Sequence, residues 1–142
     1  MIYTPLTKKA MNIAYEAHKN QLDKSGVPYI FHPIHVAEQM NDELSTCVAL
    51  LHDVVEDSSY TIQDLINKGF PNEVIEAIKV LTHSKNIPYL DYIKNIKTNT
   101  LARIVKIADL KHNSDLTRLD CITEEDENRK AKYIEALHLL EF

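Results

Sequence analysis

The stretch that decides the fold is residues 44–57, which read LSTCVALLHDVVED. The first eight residues, 44–51, are mostly apolar, so a helix formed here is apolar nearly all round and belongs at the centre of the molecule. The polar end of the same stretch places His52 and Asp53 beside that interior. Because a buried charge is costly unless it is paired or bound to a metal, these two side chains are predicted to have a partner.

Helical spacing of apolar residues and a scarcity of chain breakers characterise the rest of the sequence. Only two glycines and five prolines occur, and no strand-like alternation is sustained. Helices are predicted from Leu6 to Lys19 with Thr4 as cap, from His32 with Pro33 in its first turn, over 44–57, from Thr61, after Pro71, after Pro88, from Thr98 or Asn99 through Leu119, and over 124–140. We therefore predict an all-α fold of about seven or eight helices. No repeat or low-complexity linker divides the chain, so residues 1–142 are expected to form one domain.

Composition and charge exclude several classes of protein. The chain has 142 residues, of which 44% are hydrophobic and 26% charged, which is unlike a disordered segment. The net charge of −5 provides no basic surface, so no nucleic-acid partner is expected. No apolar run approaches a membrane span and no secretion signal opens the chain, so we expect no membrane partner and a cytoplasmic location. Cys47 and Cys121 lack metal-ligand spacing and are expected to be reduced thiols.

Two more acidic residues follow the histidine–aspartate pair by one helical turn. Glu56 and Asp57 lie four residues after His52 and Asp53, so the four polar side chains share one end of the predicted helix. The three carboxylates repel one another and face the negative end of the helix dipole, a conflict that a divalent cation removes. The alternative is that Glu56 and Asp57 project into water and that His52 is a satisfied core histidine.

Two further segments carry polar residues in unusual settings. Asp109 lies in the apolar stretch VKIADL, and Asn113 follows one turn later on the same side of the predicted helix. Together they could hold a metal and a substrate. His32 stands at the start of a helix after the loop that contains Gly26 and Pro28, where the alternative is a capping histidine.

The order of these segments resembles a known family. YIFHP at 29–33, LLHDVVED at 50–57 and VKIADLKHN at 105–113 resemble the HD-domain phosphohydrolases, specifically the hydrolase domain of RelA/SpoT homologues and the small alarmone hydrolases. The likeness runs from about Ala14 to Tyr133 and implies that the predicted helices form an HD-type bundle. It implies that one divalent metal, usually manganese, has four ligands: His32, His52, Asp53 and Asp109. These residue types also accept iron, cobalt and zinc.

The resemblance also implies roles for other side chains. Glu56 and Asp57 match an acidic pair that orients the attacking water and assists proton transfer. The positions that match nucleotide contacts are Lys24, Ser25, Asn113, Arg129 and Tyr133. The alternatives are that Arg129 is a solvent-facing helix charge and that Tyr133 serves only in packing. His18 and His112 lie inside the matching strings and are assigned at most a supporting role.

The activity implied is the removal of 3′-pyrophosphate from the alarmone (p)ppGpp, a nucleotide of the stringent response, to give GDP or GTP. Synthesis of the alarmone is not expected, since the chain ends soon after the hydrolase-like region. Two positions depart from the family pattern: Asp23 replaces an arginine that stacks on guanine, and Leu110 replaces another arginine. Because of Asp23, a phosphohydrolase for a different nucleotide or small phosphate ester is an alternative, as is a non-catalytic nucleotide-binding module.

Overall fold

The computed structural model describes residues 1–142, and every regular element in it is helical. The nine α-helices are α1 Pro5–His18, α2 Phe31–Glu38, α3 Glu43–Leu51, α4 Val54–Asp57, α5 Ile62–Asn67, α6 Asn72–Leu81, α7 Tyr89–Lys97, α8 Thr100–Asn113 and α9 Glu124–Glu141. A 3₁₀ turn, Leu116–Arg118, precedes α9. The sole β-type pairing is an isolated bridge between Leu22 and Pro28. The predicted all-α class is confirmed.

Local side-chain caps fix several helix starts where the sequence predicted them. The Thr4 hydroxyl accepts a hydrogen bond from the Thr7 amide at 3.1 Å and begins α1. Asn99, and not Thr98, caps α8 by accepting from the Ala102 amide at 2.9 Å. Such caps satisfy amides that have no partner within the helix, so a short polar side chain in the sequence marks the boundary.

The helix predicted over 44–57 is broken, and this raises the number of helices to nine. α3 ends at Leu51 and α4 begins at Val54. The Nδ1 atom of His52 lies 2.5 Å from the Ala49 carbonyl oxygen, which in a continuous helix would accept from the Asp53 amide. The helix predicted through Leu119 also ends early, at Asn113, where α8 gives way to the 3₁₀ turn.

Helix α3 occupies the centre of the molecule, as its apolar sequence predicted. Residues 47–51 are fully buried, and α3 packs against α1, α2, α6 and α8. This packing brings three places together: the start of α2, the break between α3 and α4, and the last third of α8. No helix in the structure combines the length and the apolar character needed to cross a membrane.

Candidate active site

Four side chains from three places in the fold converge on one point. His32 comes from the first turn of α2, His52 and Asp53 from the break after α3, and Asp109 from α8. One nitrogen or oxygen of each lies within 4.8 Å of the corresponding atom of every other. The Asp109 Oδ1 atom is 2.8 Å from His32 Nε2 and 3.4 Å from His52 Nε2. The structure thus brings together all four residues that the sequence nominated as ligands.

The His52 ring is oriented as a metal ligand requires. Its Nδ1 atom lies 2.5 Å from the Ala49 carbonyl, so this nitrogen carries the proton and donates it to the backbone. The Nε2 atom is then left with a free lone pair directed at the carboxylates. It is buried without a hydrogen-bond partner, and Asp53 Oδ2 lies 3.0 Å from it. A buried imidazole nitrogen facing two carboxylates fits a divalent cation.

The electrostatics of the cluster favour a bound cation. Burial by itself raises the pKa of Asp53, but the charge of His52 outweighs burial and lowers that pKa to about 2. Burial likewise lowers the pKa of His52, yet the charges of Asp53 and Asp109 raise that pKa well above its ordinary value. The carboxylates of Asp53 and Asp109 are therefore ionised, and a positive charge at this point, either a proton on His52 or a metal ion, stabilises them.

Three supporting side chains were not predicted as part of the site or were given only a minor role. The Tyr29 hydroxyl donates to Asp53 Oδ2 at 2.5 Å. The Lys106 ammonium lies 2.9 Å from Asp109 Oδ2, which leaves Oδ1 to face the histidines. The Nδ1 atom of His112 lies 2.7 Å from Nδ1 of His32. All three supporting residues lie inside the strings YIFHP and VKIADLKHN, but they occur beside more conspicuous residues.

Lys106 and Asp109 form a buried pair that keeps both groups charged. Burial acts to lower the pKa of Lys106, but the negative charge of Asp109 raises that pKa well above the ordinary value. Burial acts to raise the pKa of Asp109, but the ammonium of Lys106, the hydrogen bond from His32 and the charge of His52 hold that pKa well below the usual range. The lysine thus compensates one oxygen of a carboxylate that is almost completely buried.

The acidic residues of α4 lie at the edge of the cluster, where they reach solvent. Glu56 Oε1 accepts a hydrogen bond from the His83 amide. Partial burial and the charge of Asp53 raise the pKa of Glu56. Partial burial, followed by the charges of Asp53 and Glu56, raises the pKa of Asp57 to about 6. Carboxylates with raised pKa values are better proton acceptors near neutral pH, so this part of the site suits acid–base work.

Two cavities adjoin the four-residue cluster from different sides. The first has a volume of about 280 Å³ and contains all five predicted substrate contacts: Lys24, Ser25, Asn113, Arg129 and Tyr133. The second is about 170 Å³ and is lined by His52, Asp53, Glu56 and Lys106 among others, but not by Asp57. Asn113 and Tyr133 line both cavities, so they mark where a ligand would pass from one to the other. The Asn113 amide also donates to Asp109 Oδ1 at 3.1 Å.

The architecture is that of a known protein family. Residues 10–138 match the family model described as HD domain. The chain belongs to the HD domain family. A solved structure described as a metazoan ortholog of SpoT that hydrolyses ppGpp shares this HD fold, with a TM-score of 0.79 over 99% of this chain and 88% of the other. Its sequence is 24% identical, so this likeness concerns the fold.

Bacterial relatives of this HD domain are closer in sequence but much longer. A protein of Borreliella burgdorferi named guanosine-3′,5′-bis(diphosphate) 3′-pyrophosphohydrolase is 32% identical over 141 residues, which cover 87% of this chain and 20% of the relative. The bifunctional (p)ppGpp synthase/hydrolase SpoT of Escherichia coli is 31% identical over 121 residues, which cover 75% of this chain and 17% of the relative. The chain therefore spans about a fifth of the length of the curated relatives it matches.

Proposed function

We propose that this HD domain is a metal-dependent phosphohydrolase that removes pyrophosphate from the 3′ position of (p)ppGpp and releases GDP or GTP. The observation that carries the proposal is the four-residue cluster placed between two cavities, one of which is lined by cations and tyrosines. The names of the bacterial relatives supply the substrate. We further propose that residues 1–142 act as one HD-type domain.

The ligands of the metal in this proposal are His32, His52, Asp53 and Asp109. Two imidazoles and two carboxylates suit manganese, our proposed ion, and the same donors accept other divalent transition metals. When bound, the ion supplies Lewis-acid activation of water and of a phosphoryl oxygen. The chain contributes the orientation of the donors through the Ala49 carbonyl, Tyr29 and Lys106, so little has to move when the site is filled.

Glu56 and Asp57 handle the proton in this proposal. Water attacks the phosphorus of the 3′-diphosphate, the bond from that phosphorus to the ribose oxygen breaks, and pyrophosphate leaves while the ribose regains a hydroxyl. Glu56 uses Oε1 to accept from the His83 amide, which leaves Oε2 free to take the proton of the attacking water. Asp57 orients this water and assists the proton transfer, and its raised pKa suits that task.

The substrate contacts in this proposal are Lys24, Ser25, Asn113, Arg129 and Tyr133. Lys24 and Arg129 offset phosphate charge in an otherwise acidic protein. The Arg129 guanidinium is held in place by Glu125 at 2.9 Å, so it is pre-oriented beside the first cavity. Tyr133 and Asn113 line both cavities, and in this proposal they contact the substrate there.

The test is turnover of ppGpp and pppGpp by the purified protein with manganese, beside GTP, ATP and a simple phosphomonoester. The expected products are pyrophosphate with GDP or GTP. Asp53→Ala should lose this activity, and Asp91→Ala is its matched control. Asp91 is an exposed carboxylate on α7 outside the cluster, so its variant should behave as the wild type. Faster hydrolysis of another compound on the panel than of ppGpp would overturn the substrate assignment.

A further inference from the structure

Asp23, the residue that departs from the family pattern, is occupied by contacts within the protein. Its Oδ1 atom accepts hydrogen bonds from the Ser25 amide at 2.8 Å, the Ser25 hydroxyl at 2.6 Å and the Val27 amide at 3.0 Å. Its Oδ2 atom lies 3.5 Å from Nη1 of Arg118. With one oxygen closing the loop and the other facing a guanidinium, Asp23 has little capacity left to accept hydrogen bonds from a ligand.

Arg118 is the opposite case, a cation with few partners inside the protein. It ends the 3₁₀ turn Leu116–Arg118, which the Asp115 carboxylate caps by accepting from the Thr117 amide at 3.1 Å. Its side chain is 31% exposed, and its only carboxylate is Asp23, at a distance longer than a direct hydrogen bond ordinarily has. The Nε atom is buried without a partner. Most of the five N–H donors of this guanidinium are therefore unassigned.

Arg118 lies at the wall of the first cavity. Arg118 lines the cavity together with Asp23, Lys24 and the predicted contact Arg129. Arg129 differs because it already has a carboxylate at 2.9 Å, from Glu125, and a second from Asp126 at 3.6 Å. Of the two arginines in this cavity, Arg118 has the greater unused donor capacity.

We infer that Arg118 is a further substrate-binding residue, whose guanidinium holds a pair of acceptor atoms on the nucleotide, and that Asp23 is a positioning residue that orients it. This inference rests on the proposed function. A planar guanidinium fork matches paired acceptors, which a purine nucleotide offers on the O6/N7 edge of guanine and on its phosphate oxygens. Asp23 contributes by orienting the fork and not by touching the nucleotide.

The experiment measures the dissociation constants of GDP, ADP and guanosine by calorimetry with manganese present, and KM and kcat for ppGpp. Arg118→Ala is expected to weaken GDP binding by about tenfold or more, the scale of one charge-assisted hydrogen bond. KM should rise more than kcat falls, because binding energy common to substrate and transition state is lost. Arg103→Ala is the matched control, since Arg103 is the one arginine outside the cavity.

Asp23 is tested through Asp23→Asn, which keeps the acceptor that closes the loop and removes the charge facing Arg118. Asp23→Asn alone should weaken GDP binding. Combined with Arg118→Ala it should add no further loss, because Asp23 affects binding only by orienting Arg118. Asp23→Arg should weaken binding as well, since it places a second cation beside Arg118. Tighter GDP binding by Asp23→Arg would overturn the inference and indicate instead that residue 23 contacts the nucleotide.

The nucleotide panel separates the two sources of paired acceptors. If the base is held, Arg118→Ala weakens guanosine and GDP alike and spares ADP; if phosphate is held, it weakens GDP and ADP and spares guanosine. Unchanged binding of all three by Arg118→Ala, with ppGpp still hydrolysed by the wild type, would overturn the inference while the proposed function stands. A wild type that neither binds these compounds nor hydrolyses ppGpp would overturn the proposed function itself.

Discussion

Loss of one ligand should abolish the thermal stabilisation that a divalent metal gives this protein. The perturbation is Asp53→Ala, which leaves Asp109 as the only carboxylate among the remaining three candidate ligands. A ligand that binds only the folded state stabilises it by about 2.7 kcal/mol at a hundred times its dissociation constant. Unfolding entropy of about 2.1 cal/mol/K per residue corresponds to about 0.3 kcal/mol/K for a chain of this length. Manganese at that concentration should therefore raise the Tm of the wild type by about 9 °C.

The variant should lose nearly all of this shift. If the missing carboxylate weakens metal binding a hundredfold, the same manganese concentration only half-saturates the site, and the stabilisation falls to about 0.4 kcal/mol, or about 1 °C. The assay is differential scanning calorimetry across a manganese titration, with bound metal counted by elemental analysis, and Asp91→Ala as the exposed-carboxylate control. A full shift retained by Asp53→Ala, or none in the wild type, would refute the assignment of the cluster as a metal site.

Two further substitutions and one labelling reaction test separate parts of the site and fold. Glu56→Gln should keep the manganese-induced Tm shift and lower kcat about 10²–10⁴-fold, because it removes a proton acceptor and not a metal ligand. A wild-type kcat in this variant would show that Glu56 is a solvent-exposed residue without a catalytic role. Tyr29→Phe should weaken manganese binding by about 10–100-fold, as measured by titration, because Asp53 loses the hydroxyl that orients it. Burial, then Glu43, raises the pKa of Cys47 to about 12, so iodoacetamide at pH 8 should label exposed Cys121 and spare Cys47 in peptide mapping.

The parts of the fold that depend on local chemistry were predictable from the sequence. The start of α1 follows from the Thr4 cap, and the central place of α3 follows from an all-apolar surface over residues 47–51. The break before Val54 was not predictable, because the helical periodicity of residues 44–57 runs through it without interruption. The contact between His52 Nδ1 and the Ala49 carbonyl at this point is likewise invisible to periodicity.

The candidate site likewise has a part that was predictable from the sequence and a part that was not. His52, Asp53 and Asp109 were conspicuous as ionisable residues in apolar surroundings, whereas His32 joined them as a candidate ligand through the family resemblance; the structure brings all four together. Their supports are less conspicuous in a sequence. A lysine three residues before an aspartate reads as an ordinary surface pair on a helix, whereas here Lys106 is only 14% exposed and neutralises one oxygen of a buried carboxylate.

Arg118 was not predicted from the sequence to lie at the first cavity, because its position there depends on contacts between loops. The sequence placed it near the end of a long helix, where a basic residue is normally a favourable partner of the helix dipole. In the structure α8 ends at Asn113, so Arg118 lies on the 3₁₀ turn that follows. There it faces Asp23, a residue of a distant loop. Contacts between two distant loops leave no periodic signal in a single sequence.

The charge distribution bears on how an acidic protein could recognise the polyanionic substrate that we propose. A net charge of −5 gives no long-range attraction for phosphate, so recognition must depend on short-range contacts. In the first cavity each guanidinium faces a carboxylate: Asp23 lies 3.5 Å from Arg118, and Glu125 lies 2.9 Å from Arg129. Such neighbouring charges narrow the directions that each fork takes before a ligand arrives, which lowers the entropy lost on binding. Under the proposed function, the acidic residues beside these arginines would favour a ligand that matches the geometry of the forks over other anions.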